Sequence, residues 1–298
     1  MDNRSPLPSR STRRRRRRAP RQSPLLLLFL LPIFLVASVV VAAFMLWTST
    51  GMTASRLSFL PESSKSDAVT EELSDPIHPM DESDVRIYLT FDDGPSAEST
   101  PAILEILDSY GAKATFFVVG YYAEDMPDMV RTVAAQGHLI ANHSFTHDYD
   151  KIYSSADAFM SDIEYNENAL TAILGYTPPR ILRFPAGSAA SQLDDDPGMR
   201  EEIKAALQAG GWRYFDWDVS MGDSVIGWTP APGELGSKLI EAIDEQVAYG
   251  ATDIVVLAHD VDAKPWTPID LPMVIEHGRA QGFAFRSLSL DSPIVEYR

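Results

Sequence analysis

From Asp84 onward the chain alternates short apolar runs with amphipathic stretches, and a glycine closes each amphipathic stretch. Little else a soluble domain can do fits that rhythm as well as a parallel sheet covered by helices. The runs Val85–Phe91, Ala114–Val119, His138–Asn142, Arg180–Phe184, Trp212–Trp217, Asp253–Ala258 and Phe283–Leu288 read as strands. Between them, Thr100–Tyr110, Met126–Gln136, Ala156–Leu174, Pro197–Ala209, Gly233–Tyr249 and Pro268–Gln281 read as helices. Gly111, Gly137, Gly175, Gly210, Gly250 and Gly282 stand where helix C-caps turn left-handed. The expected fold is one α/β domain over residues 84–298 with a barrel-like closure. Periodicity alone does not separate a barrel from an open sheet.

The N-terminal part has a different character. Residues 1–24 carry nine Arg against one Asp, about +8, which leaves about −25 for the rest of a chain of formal net charge −17. An acidic body argues against a nucleic-acid partner, since phosphate binding needs a basic surface. The basic tail is followed by 23 uncharged residues, Leu25–Trp47. At ~1.5 Å rise per residue that run is long enough for a bilayer core and longer than an ordinary signal-peptide core. Arg13–Arg18 on its N-terminal side predict a cytoplasmic N-terminus, a single-pass signal anchor over 25–47 and an extracellular remainder. Cleavage after the apolar run is the other fate open to such a segment. Residues 48–83, rich in Ser, Thr, Asp, Glu and Pro without sustained periodicity, read as a flexible tether. With no Cys in the chain, disulfides and thiolate chemistry are excluded.

Two strand ends carry the chemistry. Thr90-Phe91-Asp92-Asp93-Gly94-Pro95 sets adjacent carboxylates at the end of the first run. His143-Ser144-Phe145-Thr146-His147 sets two imidazoles four residues apart after the third. Asp-Asp-Gly-Pro is also good turn chemistry, and a histidine pair can be a solvated surface feature. Together they supply one carboxylate and two imidazoles for a divalent metal with open positions, with a second carboxylate left for proton transfer. Both lie where α/β proteins build sites, at strand C-termini. Three further strand ends are polar: Arg183-Phe184-Pro185-Ala186-Gly187-Ser188, Phe215-Asp216-Trp217-Asp218 and Leu257-Ala258-His259.

In this order and spacing, TFDDGP, HSFTH, RFPAGS, FDWD and LAH resemble the five motifs of the polysaccharide deacetylase family, the NodB-homology or carbohydrate esterase 4 domain. The resemblance spans roughly residues 84–290. It implies a distorted (β/α)7-type barrel and removal of N- or O-acetyl groups from polysaccharides with a divalent metal, commonly zinc, with cobalt, manganese or nickel as alternatives. It implies Asp93, His143 and His147 as metal ligands, Asp92 as general base and His259 as general acid. Arg183 would orient Asp92, and Asp216 would pair with His259. Leu257 and Trp217 would line the acetyl pocket, and the Ala186 N–H would help hold the oxyanion. Many relatives carry an aromatic residue at the position of Ala186: if only the backbone there is used, catalysis survives, and if the side chain shapes the sugar subsite, substrate preference differs.

The leading expectation is a membrane-anchored deacetylase of N-acetylglucosamine in a cell-surface polymer, peptidoglycan first. The alternatives are a chitin-oligomer or exopolysaccharide deacetylase, an acetyl-xylan esterase, or a non-catalytic carbohydrate-binding wall protein. The complete set Asp92, Asp93, His143, His147 and His259 weighs against the last.

Overall fold

The computed structural model describes residues 84–298 apart from 195, 225–228, 294 and 298. The expected cytoplasmic tail, the membrane-spanning run Leu25–Trp47 and the tether lie outside the described residues. Among those described, no helix is long and apolar enough to cross a membrane.

Eight strands run parallel: β1 (Arg86–Asp92), β2 (Ala114–Val118), β3 (Leu139–Asn142), β4 (Ile181–Leu182), β5 (Arg213–Tyr214), β6 (Val219–Ser220), β7 (Asp253–His259) and β8 (Ala284–Phe285). Their order is β5-β4-β3-β2-β1-β7-β6, with β8 also on β1. β7 pairs with β1 over its whole length, while β8 takes Arg86 and Ile87 and β2 takes Leu89 to Asp92. β5 and β6 are consecutive in the chain yet end the path on opposite sides. The segment between them bonds first to β4, through Phe215 N to Leu182 O, and then to β7, through Asp218 N to Val255 O. The result is a parallel-strand half-barrel. All seven expected strands are present, most of them shorter than the apolar runs; β6 was not expected, because two residues leave no periodic trace.

The helices are α1 (Ser99–Ser109), α2 (Gly120–Asp125), α3 (Pro127–Ala135), α4 (Tyr149–Ile152), α5 (Ala156–Leu174), α6 (Pro197–Ala209), α7 (Glu234–Ala248) and α8 (Trp266–Ala280). α5 and α6 fall where the sequence puts them. Ser155 accepts from Ala158 N and starts α5, and Gly175 ends it at φ 78. Asp196 accepts from Met199 N, and Pro197 opens α6. After α6 the left-handed residue is Gly211, at φ 72, and not the expected Gly210, which stays right-handed at φ −78. The helix still ends at Ala209, and the left-handed reversal comes one residue later than expected.

Strand alternation sorts the side chains into two faces. Ile87, Leu89, Phe91, Phe116, Ile254 and Val256 pack outward into the main core under the helices. Tyr88, Phe117, Ala141, Ile181, Phe215 and Val255 form a second cluster on the inner face. The inner positions that come next along the strands are Thr90, Asp92, His143, Arg183, Leu257 and His259. Pairing puts Thr90 opposite Leu257 and Asp92 opposite His259. An apolar plug thus floors the half-barrel, and polar groups stand above it. A one-residue slip of any of these strands would move its site residue outward.

Candidate active site

Arg183 is the keystone of the inner face. It is fully buried, and its guanidinium lies 4.3 Å over the Phe117 ring. It donates to Asp92 Oδ1 at 2.9 Å, Thr90 Oγ1 at 2.6 Å, Phe215 O at 2.8 Å and Asp216 O at 2.9 Å. A buried charge is tolerated only when paired and hydrogen-bonded in this way. Asp92, only 4% exposed, is thereby fixed in one orientation with Oδ2 3.8 Å from His143 Nε2.

Asp93 begins the turn after β1 at φ 75. Its Oδ1 lies 3.3 Å from His143 Nε2 and 3.1 Å from His147 Nε2. These three residues form a cluster able to hold a metal ion. His143 Nδ1 sits 2.9 Å from the Arg183 carbonyl, which can only accept, so this nitrogen carries the proton. In the neutral imidazole the Nε2 lone pair then faces the Asp93 carboxylate, an arrangement that calls for a cation between them. The electrostatics agree. Burial works against ionisation of both groups, yet the histidines hold the Asp93 carboxyl well below its usual range, and Asp92 and Asp93 raise the His143 pKa. The donor set fits a divalent metal.

Among the described residues, the non-glycine residues with positive φ are Asp93, Ser144, His147 and Ala186, all in loops that follow β1, β3 and β4. Each costs on the order of 1 kcal/mol or more, and such residues cluster at functional sites. The framework that holds them is visible. A Cβ on Gly94 would stand 2.1 Å from Asp260 Oδ2, so only glycine lets the turn close on that buried carboxylate. Burial, then Asp93 and Asp92, push the Asp260 pKa up to about 7. The loop between the histidines hangs on α5: Asp162 Oδ2 accepts from Phe145 N and Thr146 N, and Asn166 Nδ2 donates to Ser144 O, Asn142 Oδ1 and Val118 O. Asp162 and Asn166 escaped the sequence reading. Their signal was two polar residues four apart on the apolar face of a helix.

His259 ends β7 beside Asp92 on β1, with Nε2 3.9 Å from Asp93 Oδ2. The expected partnership with Asp216 is not what the structure shows. His259 Nδ1 is 2.8 Å from Asp223 Oδ1, and Asp223 Oδ2 accepts from His259 N and Thr267 Oγ1. Burial disfavours charge on the imidazole, but the Asp223 hydrogen bond and charge outweigh it and raise the His259 pKa. Asp216 faces the other way because its neighbours Phe215 and Trp217 take the inner face. It accepts instead from Ser188 N, Ser188 Oγ and Tyr297 N, and so ties the loop after β4 to the C-terminal tail.

Trp217 is half-buried and packs on Gly187, where a Cβ would approach its ring to 3.1 Å. Leu257 is buried on the inner face of β7, below His259. Ala186 is exposed, and no partner meets its N–H among the described residues. Two further side chains reach the centre. Lys264 Nζ lies 3.4 Å from Asp93 Oδ2. The half-buried Tyr149 has a pKa raised by burial, then by Asp93 and Asp92.

Residues 80–198 match the sequence profile of the polysaccharide deacetylase family. A peptidoglycan-N-acetylglucosamine deacetylase of Bacillus cereus is 28% identical over 207 residues, 69% of this chain and 70% of that protein. A chitooligosaccharide deacetylase of Sinorhizobium fredii is 52% identical over 156 residues, 52% of this chain and 70% of that protein. Among solved structures, the catalytic domain of a peptidoglycan N-acetylglucosamine deacetylase from Eubacterium rectale matches with a TM-score of 0.65 at 34% identity, over 72% of this chain and 92% of that one. The chain belongs to the polysaccharide deacetylase family, and it is a hydrolase of the deacetylase class.

Proposed function

We propose that this protein removes N-acetyl groups from N-acetylglucosamine residues of a cell-surface polysaccharide, peptidoglycan foremost, with the inner-face cluster as its reaction centre and zinc as its metal. The observation that carries the reading is that two separately held proton-transfer groups border one cluster: Asp92, clamped by Arg183, has Oδ2 3.8 Å from His143 Nε2, and His259, backed by Asp223, has Nε2 3.9 Å from Asp93 Oδ2. Asp93, His143 and His147 would hold the metal. When bound, a divalent cation polarises the acetamide carbonyl and eases deprotonation of water. Asp92 takes the proton of the attacking water, while Arg183 fixes its orientation and balances its charge. His259 donates from Nε2 to the leaving nitrogen as the C–N bond breaks, because an amide expels a poor leaving group without an acid. Leu257 and Trp217 offer the acetyl methyl apolar contact, and the unpartnered Ala186 N–H is available to the oxyanion. The names of the relatives support N-acetylglucosamine polymers. Acetate release by the purified, zinc-loaded full-length chain across peptidoglycan, chitin oligomers and acetyl-xylan tests the choice. Release from acetyl-xylan alone would make the protein an esterase.

The anchor belongs to the same proposal. The arginine run before Leu25–Trp47 supports a single-pass membrane protein with its N-terminus in the cytoplasm, and residues 48–83 would give the outer catalytic domain reach into the wall. Protease added to intact, wall-stripped cells should release a fragment beginning near residue 84. A domain protected until the membrane is lysed would refute this orientation.

A further inference from the structure

Resting on the reading above, the geometry points to Tyr149 as a sugar-binding residue, whose ring face and hydroxyl receive the pyranose that carries the reacting acetamide. Tyr149 follows His147 by two residues and opens α4. Its ring centroid is 5.2 Å from that of His147, at 53°, so the phenol stands at the edge of the metal-ligand cluster while remaining half-exposed. Its orientation is set from behind by a ladder of rings. Tyr149 stacks on Tyr153 at 6.5 Å and 17°, Tyr153 on Phe159 at 5.8 Å and 22°, and Phe159 on Phe184 at 4.9 Å and 29°. Tyr153 is buried, and its hydroxyl donates to Pro185 O at 2.7 Å, which joins the ladder to the loop bearing Ala186.

A tyrosine that served packing alone would bury its ring or satisfy its hydroxyl. The hydroxyl of Tyr149 has no hydrogen-bond partner among the described residues, and its side chain is only half-buried. On the loop after β4, Ala186 is exposed and presents only a methyl group. The rim therefore offers an aromatic surface on the His147 side and room on the Ala186 side. A pyranose in its chair form has an apolar C–H face that suits a fixed phenol ring, and hydroxyls at its edge that suit an unpartnered Oη.

The test compares zinc-loaded, full-length wild type, Tyr149→Ala and Tyr149→Phe on an N-acetylglucosamine pentamer and on 4-nitrophenyl acetate, which has no sugar ring. The metal content of each protein is measured alongside. Tyr149→Ala should raise KM for the pentamer at least ~5-fold, the scale of one lost aromatic contact, with a smaller change in kcat. Its loss in kcat/KM should be several-fold larger on the pentamer than on the aryl acetate, and Tyr149→Phe should recover most of it. Equal losses on both substrates, or loss of zinc, would show that the ring only positions His147 and would overturn the proposal. An unchanged KM would overturn it as well. Wild type that releases acetate from neither the pentamer nor peptidoglycan would overturn the deacetylase reading and this inference together, whereas an active wild type with indifferent variants sinks this inference alone.

Discussion

His147→Ala is expected to bind metal more than ~10²-fold more weakly than wild type, beyond the loss usual when only an outer hydrogen-bond partner of a metal ligand is removed. Deacetylation should fall with it, while the half-barrel stays folded. The reason lies in placement: His147 is a half-buried loop residue whose Nε2 lies 3.1 Å from Asp93 Oδ1, with less of its ring in the core than His143. His143→Ala should lose metal equally but also cost stability, because it removes a buried imidazole and strips the Arg183 carbonyl of its partner. The proton competes for the same nitrogen. Since Asp92 and Asp93 overcome burial to raise the His143 pKa, wild-type metal affinity should decline as pH falls through that raised value. Metal titration followed by calorimetry at several pH values reads all of this. Undiminished metal in both variants would place the site elsewhere.

The second large effect belongs to Asp223. Asp223→Asn should lower kcat by ~10²-fold or more, the scale of losing a general acid, with metal content intact. It should also move the alkaline limb of the pH–rate profile. The groups that set the His259 pKa are burial and Lys264, which lower it, and Asp223 and Asp92, which raise it. His259 acts as an acid in its protonated form, so activity is lost as pH rises through its pKa. Removing the Asp223 charge lowers that pKa, and the limb should shift to lower pH. Asp216→Asn should leave the limb where it is, since Asp216 holds Ser188 and Tyr297 rather than the imidazole. A limb that moves in Asp216→Asn and not in Asp223→Asn would restore the partnership expected from the sequence.

That contrast shows where a sequence of this kind is legible. Residues fixed by strand alternation could be read directly. Asp92, His143, Arg183 and His259 end apolar runs, and the pleat decides which way they face. The pairing of Asp216 with His259 comes from the resemblance of Phe215-Asp216-Trp217-Asp218 to a family motif, whereas alternation turns Asp216 to the face opposite Phe215 and Trp217. Asp223 could not be found by pattern, because it lies in the irregular stretch after the two-residue β6 and meets His259 only through the β6–β7 pairing. Asp162 and Asn166 on α5 are an intermediate case: their helix was placed to the residue, but only tertiary packing reveals that its polar pair supports the loop between the histidines. Tyr149 stands in a helix of four residues, too short to announce itself by periodicity.

If the cluster of Asp93, His143 and His147 makes this chain a metal-dependent N-deacetylase, its activity must follow its metal. Acetate release from an N-acetylglucosamine pentamer by the full-length protein is measured as purified, after exhaustive chelation and after zinc is returned. Chelation should lower the rate at least ~10²-fold, and zinc should restore it in wild type but not in His147→Ala. Full activity in protein verified to be free of metal would contradict this dependence.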